Sequence, residues 1–185
     1  MLFRSGYLLS SMGDYPAARP YYEQALAICR EVLGEKHPNT ASSLNNLGYL
    51  LQAMGDCAAA RACCEQALAI RKAVLGDKHP DTAQSLNNLG ALLQAMGDSA
   101  AARPCYEQAL AINREVLGEK HPATATSLNN LGYLLQAMGD YAAARPYFEQ
   151  ALAINREVLG EKHPNTQLVR NNLAELEAQM SRSVP

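Results

Sequence analysis

The chain has 185 residues, with 16 Lys and Arg residues against 18 Asp and Glu residues and a formal net charge of −2. This balance argues against a basic nucleic-acid surface and against an acidic tail. Hydrophobic residues make up 48% of the chain, but aromatic residues only 6% and Trp none, and the recurring Ala and Leu favour helices. The longest uncharged stretches carry an Asn-Asn pair and a Gln, which hydrocarbon would penalise, so we predict a soluble protein without a membrane partner.

One sequence unit recurs every 42 residues without an insertion. The period is marked by Gly13, Gly55, Gly97 and Gly139, and by His37, His79, His121 and His163. Across the blocks 40–81, 82–123 and 124–165, 31 of 42 positions are identical in all three, which indicates recent duplication or a deliberate consensus. We therefore predict a single array over residues 1–185. Its parts are a partial first repeat (1–39), the three full blocks, and a C-terminal capping helix with a tail (166–185).

The first predicted helix begins in the middle of the repeat pattern. Phe3 and Arg4 stand where later blocks have the Asn pair, and Ser5 stands where they have a packing Leu. No N-terminal cap is visible, so we expect that the native array continues upstream. The alternative is a short natural start that frays.

Each full block predicts two helices. Residues 40–54 place apolar side chains at helical spacing, namely Leu44, Leu47, Leu51 and Met54. Gly55 then supplies a stop and Asp56 the next N-cap. Residues 57–75 carry a second apolar stripe that Gly76 ends, and Pro80 follows at the first position of the next helix, where its missing N–H costs nothing.

A lone hairpin of this kind cannot bury both apolar stripes. Neighbouring hairpins must therefore stack, which predicts an all-α fold of the α-solenoid type. The last helix, roughly residues 166–180, brings Arg170, Glu175 and Glu177 into a helix type that is otherwise uncharged. We interpret it as a solvating C-terminal cap.

The small and large residues at the packing positions resemble the signature of the tetratricopeptide repeat (TPR): Leu44, Leu47, Gly48 and Leu51, then Ala60, Cys64 and Ala67. Unlike the ordinary 34-residue repeat, the second helix runs on for about two further turns. The sequence motifs Leu-Asn-Asn-Leu, Ala-Leu-Ala-Ile and Val-Leu-Gly-x-Lys-His-Pro are similar to those in the repeats of kinesin light chains and their bacterial relatives. The resemblance implies stacked antiparallel hairpins in a right-handed superhelix that serves as a non-enzymatic protein-interaction scaffold.

In this family the first helix of each hairpin lines a concave groove. The candidate peptide-binding residues lie on that helix and point away from the Leu stripe: Asn45, Tyr49, Gln52, Asn87, Ala91, Gln94, Asn129, Tyr133 and Gln136. Segments 40–55, 82–97 and 124–139 contain no charged residue, so we expect a polar, nearly neutral groove.

Two columns of the predicted groove carry amides, and one carries tyrosines. Because carboxamides both donate and accept, Asn45, Asn87 and Asn129 are predicted to hold the backbone of an extended peptide, and the Tyr positions to contact its side chains. Alternatively, one Asn of each pair fastens its helix to the neighbouring hairpin. Specificity is expected from the variable positions Tyr49, Ala91 and Tyr133, and from Ser42, Gln84 and Thr126.

The histidines and cysteines do not form a pattern that predicts a metal site or a catalytic site. Equivalent His residues in stacked hairpins lie at least about 8–10 Å apart, too far to share a Zn ion, so a capping or packing role is expected. They lack a distinguishing catalytic partner, and we predict no enzyme, metal or cofactor. Five Cys without a C-x-x-C pair suggest free thiols in a reducing, cytoplasmic compartment.

Two other functions stay open at the level of sequence. The incomplete first repeat also suits a C-terminal sensor or regulatory array of a larger signalling protein. Near-identical repeats with an uncapped N-terminal end also suit head-to-tail self-association.

Overall fold

The computed structural model describes residues 2–182, with side chains described from residue 5 onward, and this part of the chain contains nine α-helices and no strand. In chain order the helices are α1 (Leu2–Ser11), α2 (Tyr15–Leu33), α3 (Pro38–Ala53), α4 (Cys57–Leu75), α5 (Pro80–Ala95), α6 (Ser99–Leu117), α7 (Pro122–Ala137), α8 (Tyr141–Leu159) and α9 (Pro164–Arg182).

A histidine caps the start of each odd-numbered helix from α3 onward. Nδ1 of His37 accepts a hydrogen bond from the backbone N–H of Asn39 at 3.1 Å, and the other three His residues repeat this bond. The predicted capping role of the histidines is therefore confirmed. α5 begins at Pro80, as predicted, and α3 and α9 likewise begin at a proline, Pro38 and Pro164, two residues before the ranges 40–54 and 166–180 of the sequence analysis.

Glycine and aspartate turn the chain between the two helices of a hairpin. Gly55 has a φ of 85°, a left-handed conformation that a side chain would strain. Oδ1 of Asp56 then accepts from the N–H of Ala59 at 3.1 Å and caps α4, as predicted. Gly76, with a φ of 92°, ends that helix.

Within a hairpin the two helices approach closely at a glycine. A Cβ added at Gly132 would lie 3.1 Å from the ring of Phe148, and one added at Gly48 would lie 3.1 Å from Sγ of Cys64. Phe148 is fully buried, because its ring fills the space that the missing side chain leaves. The glycine of the Leu-Gly motif is therefore a packing position.

Between hairpins the helices stack in sequence. Each even-numbered helix packs on the first helix of the next hairpin, and the first helices also contact one another, α3 with α5, α5 with α7 and α7 with α9. The main core cluster runs from Ala18 near the N-terminal end to Leu176 in α9, and a smaller second cluster joins α5 to α6 through Ala83, Leu86, Ala109 and Ile112. The chain is an α-solenoid of stacked antiparallel hairpins, which confirms the predicted fold class.

In the three full repeats the charged side chains lie on the second helices and in the loops, except for Asp81 in the first turn of α5. Arg61 and Glu65 pair within α4 at 2.7 Å, and Lys78 reaches Glu115 of the next repeat at 2.5 Å. These pairs are exposed, so each contributes no more than about 1 kcal/mol. Beyond their first turn, α3, α5 and α7 carry no charged residue.

We expect Gly90→Ala to destabilise the array, because the new Cβ would lie 2.8 Å from the buried ring of Tyr106. Overpacking of this kind costs about 1–3 kcal/mol, which outweighs a gain of up to about 1 kcal/mol from helix propensity. Urea unfolding followed by circular dichroism measures the change. The control is Tyr106→Ala, in whose background Gly90→Ala should be neutral or stabilising. Equal losses in both backgrounds would contradict the contact.

Candidate functional site

The inner face of the solenoid is formed by the exposed side of α3, α5 and α7. Tyr49 and Tyr133 stand on it at equivalent positions, with 70% and 52% of their side chains exposed, and Ala91 occupies the same position between them. No charged residue interrupts this column within the three helices after their first turn. The face is therefore uncharged and has two separated aromatic contact points.

The first Asn of each pair joins neighbouring hairpins. Asn45 is buried, and its Nδ2 donates to Oγ of Ser85 in the next hairpin at 3.1 Å. Nδ2 of Asn87 donates to Oγ of Ser127 at 3.0 Å in the same way. These contacts match the alternative role that the sequence left open. A peptide that used Asn45 or Asn87 as a donor would have to displace these bonds.

The third member of the column makes a different bond to the next helix. Oδ1 of Asn129 accepts from Nδ2 of Asn172 at 2.9 Å, since α9 has Val169 where earlier repeats have Ser. Asn46 is exposed whereas Asn45 is buried, but both Asn residues are half-buried in the other two pairs. The second Asn is therefore the more accessible one only in α3.

The three predicted Gln residues occupy three different surroundings. Gln52 is half-buried. Oε1 of Gln94 accepts from the hydroxyl of Tyr106 at 3.1 Å. Gln136 is buried, and its Nε2 donates to Oε1 of Gln179 in α9 at 3.0 Å. The sequence pattern could not separate these cases, because each depends on the neighbouring helix.

Sequence reasoning missed an aromatic cavity at the N-terminal end of the face. A volume of about 270 Å³ lies between α1, α2 and α3, lined by Tyr7, Ser10, Ser11, Tyr15, Tyr22, Asn46 and Tyr49. The repeat alignment gave a signal, since Tyr7 is equivalent to Tyr49 and Tyr133. Four tyrosines therefore converge where the face begins, a setting suited to apolar side chains that also need a polar partner.

A buried arginine was also missed. Arg71 is 4% exposed, and its guanidinium donates to Oγ of Ser42 in its own hairpin and to the Asp81 carbonyl and Oγ of Ser85 in the next. Burial lowers its pKa. Ser42, a predicted specificity position, thus accepts a hydrogen bond from the arginine that connects the two hairpins.

Comparison with known proteins agrees with this geometry. The family model for the tetratricopeptide repeat matches residues 1–61, 43–115, 83–156 and 126–183. The chain belongs to this family. TPR proteins are generally non-enzymatic scaffolds for protein–protein interaction. A comparison with curated proteins gives no significant match.

Solved structures of TPR arrays resemble this one over nearly its whole length. A kinesin-light-chain candidate from Podosopora anserina with nearly identical TPR-like repeats is 27% identical, with a TM-score of 0.78 over 98% of this chain and 86% of that chain. A variant of that protein gives 0.79 at 26% identity. BtubC (BKLC) from P. vanneervenii, at 22% identity and a TM-score of 0.74, covers 97% of this chain and 80% of that chain and supports the fold alone. The predicted resemblance to kinesin-light-chain repeats is confirmed.

The described part of this TPR array contains neither a side-chain cluster that could hold a metal ion nor a helix that could span a membrane. Among residues 2–182, no three His, Cys, Asp or Glu side chains lie close enough together to hold a metal ion. Within the same residues, none of the helices combines the length and the apolar character that crossing a membrane requires. Each His Nδ1 is occupied by its helix cap.

All five cysteines of the TPR array have free thiols. Burial raises the pKa of Cys64 to about 11, and it also raises the pKa of Cys63 and Cys105. Cys64 packs against Gly48 at the position that Tyr106 and Phe148 occupy in later repeats. Cys64 is a core residue with little thiolate at neutral pH, so it is not suited to act as a nucleophile.

We expect Cys64 to react with N-ethylmaleimide at about pH 8 at least roughly 100-fold more slowly in the folded chain than in denaturant, because burial suppresses its thiolate. The unfolded thiol ionises first, so the free energy of unfolding should be unaffected below about pH 8.5 and should fall as the pH rises towards 11. Mass spectrometry of quenched samples and urea titrations measure the two effects. Cys64→Ala should reduce the alkaline loss; an unchanged loss, or equally fast labelling when folded, would contradict this environment.

Proposed function

We propose that the inner face of this TPR array binds an extended, largely uncharged segment of another protein, without catalysis. The observation that carries the proposal is that Tyr49 and Tyr133 are exposed on a face whose helices carry no charged residue after their first turn. Large exposed aromatic side chains are expensive to leave in water and are typical of binding surfaces.

The spacing of the face suits an extended ligand better than a compact one. Successive first helices lie side by side, about 8–10 Å apart, so three repeats present equivalent positions along a line of roughly 20 Å. An extended chain advances about 3.3 Å per residue, and six or seven residues cover that distance. Ala91 leaves a gap between the two tyrosines that admits a larger side chain.

The amides supply the polar contacts in this proposal. Asn46, Asn88 and Asn130 retain exposed area beside the tyrosine column, and a carboxamide pairs with a peptide group as both donor and acceptor. Asn45, Asn87, Asn129 and the Gln column would act mainly by holding the hairpins in register. Acidic peptides are poor candidates, because segments 40–55, 82–97 and 124–139 offer no Lys or Arg.

A reducing compartment such as the cytoplasm fits this role. Five free thiols, one of them buried in the core, are compatible with a cell interior that keeps cysteines reduced. We therefore place the proposed interaction in the cytoplasm.

We expect Tyr49→Ala/Tyr133→Ala to weaken binding of peptides selected from a displayed library of unstructured segments by about tenfold or more. Both residues are exposed, so the free energy of unfolding should change by only about 0.5 kcal/mol. Fluorescence anisotropy with labelled peptides measures the affinities.

The matched control removes exposed apolar area from the second helices, as Val74→Ala/Val116→Ala, and should leave affinity unchanged. Ala91→Tyr completes the aromatic column and should alter the selected motif. If the intact chain selects no peptide, or if both double variants lose affinity equally, the proposed face is wrong.

A further inference from the structure

A cavity of about 390 Å³ opens on the inner face between α5, α6 and α7. Its polar lining comes from Asp81, Gln84, Asn87, Asn113, His121 and Thr126, with Leu117 among its apolar contacts. No Lys or Arg lines it. The cavity joins one side of the proposed groove, since Gln84 and Asn87 lie on the groove helix α5.

The chain fills the equivalent space one repeat earlier with its own guanidinium. Arg71 occupies the same repeat position as Asn113. Its Nη1 donates to the Asp81 carbonyl at 2.7 Å and to Oγ of Ser85 at 3.1 Å, and its Nη2 donates to Oγ of Ser42 at 3.0 Å. A planar group with five donors therefore fits between two stacked hairpins at this position.

Asn113 is too short to make the same set of bonds. Its Nδ2 reaches the Ala123 carbonyl at 3.2 Å and Oγ of Ser127 at 3.0 Å, which are the equivalents of two Arg71 partners. The equivalent of Ser42 is Gln84, which Asn113 does not contact. The cavity is the space that the longer side chain would occupy.

A buried oxygen atom at this cavity lacks a donor. Asn113 is 2% exposed, and its Oδ1 has no hydrogen-bond partner. An unpaired buried acceptor is costly, so the site favours a ligand that brings N–H groups. The carboxylate of Asp81 adds a negative charge at the rim, and the guanidinium of Arg71, which also donates to Oε1 of Gln84 at 3.3 Å, interacts with that charge.

We propose that this cavity binds an arginine side chain of the partner segment, in the place that Arg71 takes one repeat earlier. The proposal rests on the proposed function, because the arginine arrives on the segment bound in the groove. The next repeat does not provide a second copy, since Leu168 and Val169 replace Thr126 and Ser127 there.

The first test uses single-residue probes, which bind without the rest of the groove. N-acetyl-arginine amide is titrated into the chain at about pH 7.5, with N-acetyl-citrulline amide as the neutral isostere, and NMR follows the side-chain amides of Asn87 and Asn113. We expect arginine to shift these signals with an affinity at least about fivefold higher than that of citrulline. Equal affinities would overturn the proposal.

Two variants exchange the filled and the empty site. Asn113→Arg should occupy the cavity with the chain's own guanidinium and lower probe affinity by about tenfold or more. Arg71→Asn should open an equivalent cavity and raise the stoichiometry from one probe to two. Each variant installs a residue that a sibling repeat already carries, so folding should persist, as circular dichroism will verify. A folded Asn113→Arg that binds the probe like the unmodified chain would overturn the site.

The second test separates this site from the groove itself. Peptides selected by the unmodified chain should be enriched in arginine at one position, and replacing that arginine with citrulline should weaken binding to the unmodified chain but not to Asn113→Arg. Selected peptides without an arginine preference would overturn this proposal and leave the groove intact. If no peptide binds while the arginine probe does, the groove proposal fails, and with it the assignment of the arginine to a partner segment.

Discussion

The tertiary structure of this protein depends on the fact that one hairpin has two apolar sides and can bury only one of them by itself. Within a hairpin, the glycines at 48, 90 and 132 let the helices approach until Cys64, Tyr106 and Phe148 fill the gap. The other side is buried only when the next hairpin stacks on it. The core is therefore continuous along the solenoid, and the free energy of each repeat is inseparable from that of its neighbours.

Stacking also decides which polar groups remain available for a partner. The bonds from Asn45 to Ser85 and from Asn87 to Ser127 join successive first helices. Arg71 in α4 donates both to α3 of its own hairpin and to α5 of the next hairpin. Those amides are structural in this arrangement. The inner face is left with exposed tyrosines, partly exposed amides and few charges, a combination that suits an extended, largely uncharged ligand.

Small differences between near-identical repeats acquire large consequences in the folded array. Arg71 and Asn113 differ at one repeat position, and this difference leaves one junction filled and the other with a cavity of about 390 Å³. Likewise, Ala91 interrupts a column that Tyr49 and Tyr133 would otherwise make regular. A few substitutions thus make one position along the groove different from the others, while the shared residues keep the same fold in every repeat.

The sequence by itself determined the period, the all-α class, the caps and the helix stops, because these depend on residues close together in the chain. Gly55, Asp56, Gly76 and the His-Pro pairs act within one turn, and the apolar spacing is read from a single helix. Only the tertiary structure decided which Asn of each pair faces a neighbour, because Asn45 and Ser85 lie 40 residues apart and meet only through stacking. The burial of Arg71 and the cavity at Asn113 have the same origin. Both exist only where one hairpin stacks on the next, and no local pattern encodes that contact.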